Sequence, residues 1–157
     1  GDRPTGTLVI DNLTPGRRLW CVATGTGLAP FLAIVQDPKT FETYSEVVLT
    51  HTVRTVAELA YRDLLESLPL TYYPTVTREP FSCPGRITDR MQSGELWRDL
   101  GLSPWQPEED RIMICGSPEF NQSLRDQLSA SGFKHGTNRE AGQFVQERAF
   151  VMQRLDA

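Results

Sequence analysis

The octet Thr24-Gly25-Thr26-Gly27-Leu28-Ala29-Pro30-Phe31 follows a short apolar run, Leu19 to Ala23, and leads into a helical pattern of Phe31, Leu32, Ile34 and Val35. A strand, a glycine turn and a helix start in that order suit a pyrophosphate. The first helical turn leaves its N–H groups unsatisfied and pointing outward, and glycines let an anion approach the backbone closely. Pro30 stands where the dinucleotide fingerprint G-x-G-x-x-G has its third glycine, and a first-turn proline loses nothing by lacking an N–H. A plain tight strand-to-helix turn uses glycine in the same way, so other segments must decide.

A second candidate is Cys115, at the end of the apolar strand Arg111 to Cys115 and followed by Gly116-Ser117-Pro118-Glu119. It falls at the carboxyl edge of the expected sheet, where open α/β sheets bind ligands. A small buried hydrophobe is the other reading of such a cysteine. Neither His51 nor His135 forms a recognisable Cys–His arrangement with it, so a covalent nucleophile is not expected. The second strand ends Leu49-Thr50-His51-Thr52-Val53-Arg54, with no Asp or Glu at its tip to accept from a ribose 2′-hydroxyl. That favours a 2′-phosphate, and hence NADP over NAD.

The elements needed to position these groups alternate along the chain. Strands are expected over Thr7–Ile10, Leu19–Ala23, Glu46–His51, Leu70–Val76, Arg111–Cys115 and Phe144–Val151, with the middle four parallel. Thr14-Pro15-Gly16 marks a turn between the first two. Thr55-Val56-Ala57-Glu58 reads as a capping box opening a helix to about Ser67, stopped by Pro69. Ser117-Pro118-Glu119 opens another, whose Phe120, Leu124 and Leu128 form one apolar face before Gly132 ends it. The alternation of strands and helices points to an α/β fold with a parallel, Rossmann-like nucleotide-binding sheet.

With Gly25-Thr26-Gly27-Leu28-Ala29-Pro30-Phe31, Cys115-Gly116-Ser117-Pro118-Glu119 and Glu147-Arg148-Ala149-Phe150-Val151 in that order, the chain resembles the bacterial ferredoxin/flavodoxin–NADP reductases. Gly6-Thr7-Leu8-Val9-Ile10, Thr55 to Tyr61, Thr77-Arg78-Glu79 and Gly85-Arg86-Ile87-Thr88-Asp89 are similar too. The resemblance implies an enzyme that passes electrons between NADPH and ferredoxin or flavodoxin through FAD, with a flavin barrel preceding the α/β domain. It implies a cofactor-turn set of Thr24, Gly25, Thr26, Gly27 and Pro30, with Gly116 and Ser117 also binding the cofactor. It makes Arg78 the main partner of the 2′-phosphate, followed by Arg86 and Arg54. Cys115 would orient the nicotinamide, Glu147 would supply a carboxylate near the flavin, and Ala149 and Phe150 would lie against the flavin. The family's flavin signature, Arg-x-Tyr-Ser/Thr, is absent; the nearest string, Glu42-Thr43-Tyr44-Ser45, has Glu in place of Arg. The expectation is therefore one lobe of a longer protein, with residues 1–12 a remnant of the last barrel strand and 13–157 the NADP-binding domain.

Composition agrees with this reading. The 157 residues are enough for one core, and a net charge of −4 gives no nucleic-acid footprint. No stretch approaches a membrane span. Three scattered cysteines suit neither a disulfide framework nor a zinc site, so a cytoplasmic protein without a metal is expected; a monomer is expected as well. Two rival readings stay open: an NADP-binding domain without catalysis, and an NADH-using oxygenase-reductase relative.

Overall fold

A computed structural model describes residues 8–149. Five strands, β1 (Arg18–Thr24), β2 (Glu46–Val53), β3 (Thr71–Val76), β4 (Asp110–Gly116) and β5 (Phe144–Arg148), form one sheet in the order β3-β2-β1-β4-β5. Every pairing is parallel. The four central strands expected from apolar runs are present, and the C-terminal segment adds a fifth.

Parallel strands buried on both faces must send alternate residues into two cores. In β1, Leu19, Cys21 and Ala23 join the core built with Phe31 and Val35 of α1 (Ala29–Gln36) and Leu65 of α3 (Arg62–Ser67). Phe41 of α2 (Pro38–Thr43) packs against the same core. Trp20 and Val22 point the other way, onto Ile87 of α4 (Ile87–Ser93), Leu96 of α5 (Glu95–Leu100) and Leu124 and Leu128 of α6 (Pro118–Ala130). The result is a sheet between two helical layers. Trp20, Trp97 and Trp105 meet edge to face, with ring centroids 5.6 to 5.9 Å apart.

Two charge networks, one buried and one reaching the surface, hold the layers. Asp110, fully buried, accepts from Arg18 Nη1 at 3.0 Å, Trp20 Nε1 at 2.8 Å and the Gln106 N–H at 2.8 Å. On the other flank Arg90 donates to Tyr73 Oη, Asp99 and the Pro84 carbonyl. The last contact draws Pro84 and Gly85 against the tip of β3, where Gly85 N–H bonds Val76 O at 3.0 Å.

Three expectations about elements need correction. Of the expected strand Thr7–Ile10, Thr7 lies outside the described residues and Leu8–Ile10 is not a strand: Ile10–Asn12 is a 3-10 turn, and Leu8 and Leu13 pack into the α/β core. The Thr55 box forms, with Glu58 accepting from the Thr55 N–H at 2.9 Å, but it opens only a 3-10 turn, Val56–Glu58. The chain then passes through Tyr61 at φ 61°, so a separate short helix begins at Arg62. The last strand ends at Arg148, and Phe150 and Val151 lie outside the described residues. Ser117, in contrast, caps α6 as expected, accepting from the Phe120 N–H at 3.2 Å.

Candidate nucleotide site

The order β3-β2-β1-β4-β5 places β2 and β4 on opposite sides of β1, so the chain reverses direction across the sheet between β1 and β4. At such a switch point the outgoing loops diverge and leave a crevice at the strand carboxyl ends. Three sequence-predicted segments meet there. Ala23 is level with Cys115, and Cys115 with Glu147. The Ala149 N–H bonds Gly116 O at 2.9 Å.

The glycine segment is itself a 3-10 turn, Gly25–Leu28, running directly into α1. Its two glycines do different work. Gly25 has φ +52° and open space where a Cβ would be, so it shapes the turn. Gly27 abuts the backbone of β4, for a Cβ there would lie 2.1 Å from Cys115 O. Gly116 is pinched in the same way, its Cβ position lying 2.7 Å from both Thr24 Oγ1 and a Phe120 ring carbon. Neither the 3-10 turn nor α1 receives a side-chain cap, whereas α2 and α6 are capped by Asp37 and Ser117. Uncapped backbone donors beside an open glycine fit a pyrophosphate. Pro30 stands in the first turn of α1, as expected.

Cys115 has no exposed surface, and burial, followed by the nearby Glu147 carboxylate, pushes its thiol up to about 12. It is a neutral thiol that packs under Gly27, which agrees with the absence of a nucleophilic arrangement. Glu147 is half-buried, and its carbonyl accepts from Asn121 Nδ2 at 3.0 Å. Ala149 lies half-buried beside Gly116, and Phe150 falls outside the described residues.

Arg54, Arg78 and Arg86 are exposed beyond β2 and β3, and among the described residues no carboxylate pairs with them. Arg54 and Arg78 are joined through the backbone, Arg78 N–H to Arg54 O at 2.8 Å. Of the nearby acids, Glu58 is held by Thr55, while Glu79 accepts from the Val56 N–H at 3.3 Å. Free guanidinium groups with the neighbouring acids engaged fit a phosphate better than a ribose hydroxyl.

Sequence reasoning passed over His51 and Asn121. Both act through tertiary contacts with distant backbone: His51 Nε2 lies 2.8 Å from Gly25 O, and Asn121 ties α6 to β5. Burial lowers the His51 pKa below its ordinary 6.5, so the unfolded chain takes up the proton first as the pH falls. Stability contributed by the neutral ring is therefore full above about pH 6.5 and declines below it. Urea titrations at pH 7.5 and 5.5 are expected to show a lower unfolding free energy at 5.5, with part of the difference absent in His51→Gln.

The segment from Cys21 to Asp126 matches the model of the oxidoreductase NAD-binding domain. The chain belongs to that family. This NAD-binding domain is 48% identical to the flavodoxin/ferredoxin–NADP reductase of Rhodobacter capsulatus, with 95% of the chain and 60% of the relative aligned. It is also 48% identical to the ferredoxin–NADP reductase of Pseudomonas aeruginosa, over 95% of the chain and 63% of the relative. Among solved structures it is similar to a ferredoxin NADP+ reductase from Neisseria gonorrhoeae with bound FAD and NADP, at TM-score 0.83 and 31% identity over 93% of the chain and 61% of that protein. The domain thus spans about three-fifths of the length of these relatives. None of its helices, among the described residues, is long and apolar enough to cross a membrane.

Proposed function

We propose that the chain is the NADP-binding lobe of a flavin-dependent ferredoxin or flavodoxin reductase, with residues 1–12 leading from a flavin barrel and 13–157 binding the dinucleotide. The observation that carries this is the meeting of the uncapped Gly25–Leu28 turn, the Cys115-Gly116 strand end and the Glu147 strand at one switch point. The turn and the start of α1 hold the pyrophosphate. Arg78, with Arg54 and Arg86, holds the 2′-phosphate. Cys115 forms the floor beneath the nicotinamide, and Glu147 presents a carboxylate at its side. Ala149 is small enough for a flat ring to lie against it. When bound, FAD supplies the conversion between a hydride and single electrons, which no side chain of this lobe performs. The partner is ferredoxin or flavodoxin, and the assembled enzyme works as a cytoplasmic monomer.

The test titrates the chain with NADP and NAD by calorimetry, and assays a fusion behind a relative's FAD barrel for dye reduction with NADPH and NADH. NADP and NADPH are expected to be preferred. Arg78→Ala should remove most of that preference, since a charge-assisted phosphate contact contributes about 1.5–3 kcal/mol. Equal affinity for the two nucleotides would point to the NADH-using alternative, and NADP binding with an inert fusion to a domain that only binds.

A further inference from the structure

Gly25 occupies an exposed turn at φ +52° with open space beside it. What reaches it is a side chain from the adjacent strand. His51 is 1% exposed, sits level with Ala23 at the point where β1 ends, and places Nε2 2.8 Å from Gly25 O. A carbonyl can only accept, so the ring is in the tautomer that carries its proton on Nε2. Nδ1 is then an acceptor, and it is buried with no hydrogen-bond partner. A buried polar atom left unmatched costs stability, and an apolar residue of similar size would avoid that cost. The imidazole therefore contributes something an apolar side chain cannot.

We propose that His51 is a positioning residue for the dinucleotide turn, its Nε2–H holding the Gly25 carbonyl so that the Gly25–Leu28 turn keeps its place at the pyrophosphate. Burial lowers the ring's pKa and keeps it neutral, which suits a post that needs one donor and no charge. This inference rests on the nucleotide-binding reading above.

Side-chain geometry supplies the test. Glutamine carries its amide nitrogen the same number of bonds from Cα as His Nε2, whereas the amide nitrogen of asparagine corresponds to Nδ1. His51→Gln is expected to bind NADP within about twofold of the parent chain, and His51→Asn and His51→Leu about tenfold more weakly, by calorimetric titration. Amide hydrogen exchange on the nucleotide-free chain gives the second readout: Thr26 and Gly27 should exchange faster in the Asn and Leu variants but not in Gln. A role in packing alone would group Gln with Asn, and that grouping, or parental affinity in all three variants, overturns the assignment. If the parent chain fails to bind NADP, the functional reading falls, and the exchange data still decide whether His51 holds the turn.

Discussion

Replacing Asp110 with alanine is expected to lower the unfolding free energy by about 3–5 kcal/mol, the range seen when one member of a buried ion pair is removed. Its carboxylate serves the Arg18 guanidinium, the Trp20 indole and the Gln106 N–H at once, with no exposure to water. The alanine variant strands all three donors. Glu46, 3.5 Å from Arg18 Nε and partly exposed, is the only other carboxylate paired with that arginine among the described residues. Domains of this size are stable by about 5–15 kcal/mol, so the loss is a large fraction of the whole. Urea unfolding with an unchanged m-value is the measurement. A change below about 1 kcal/mol would mean that Glu46 moves in and restores the pair.

Gly27→Ala is expected to weaken NADP and NAD together, by tenfold or more, and to lower the unfolding free energy by about 1–3 kcal/mol. The added methyl meets Cys115 O at 2.1 Å and Cys115 C at 2.8 Å, and neither atom can swing aside because both belong to a central strand paired on each side. The turn must lift away from β4 and carry its N–H groups with it. Gly25→Ala provides the contrast, since it has open space and meets only the cost of φ +52°, about 1–2 kcal/mol. If Gly27→Ala kept full stability and lost only nucleotide affinity, the glycine would be serving the ligand directly rather than the contact with Cys115.

That contrast also shows what could be read in advance. The glycines at 25 and 27 were legible as a nucleotide turn, because strand, turn and helix signals are local. That one shapes the backbone while the other accommodates a neighbouring strand depends on a residue about ninety positions later and has no local signature. The central strands were legible because burial on both faces demands unbroken apolar runs such as Ile112-Met113-Ile114. Their polar ends, Arg18 and Asp110, were missed because each is tolerable only beside the other. Helices α2, α4 and α5 have six or seven residues, too few to establish an amphipathic period. The helix expected from Thr55 failed where Tyr61 takes a left-handed backbone, a choice tertiary packing makes against propensity. Of the candidate site, the turn, the Cys115 segment and Glu147 come together as expected; the clamp from His51 could not be foreseen, since a histidine inside a strand gives no sign of which carbonyl it will meet.

All three tryptophans of the chain stand in the one edge-to-face cluster, on the face of the sheet covered by α4, α5 and α6. Trp20 lies four residues down β1 from Thr24, roughly 13 Å at strand spacing. Intrinsic fluorescence is therefore a reporter of one layer and not of the molecule. It follows the loosening that Asp110→Ala brings, because that carboxylate holds the Trp20 indole, yet it stays nearly silent when the glycine turn rearranges. The native emission of a turn variant will look healthy although its melt comes earlier, and the rearranged turn itself will show only in a probe placed on the other side of the sheet.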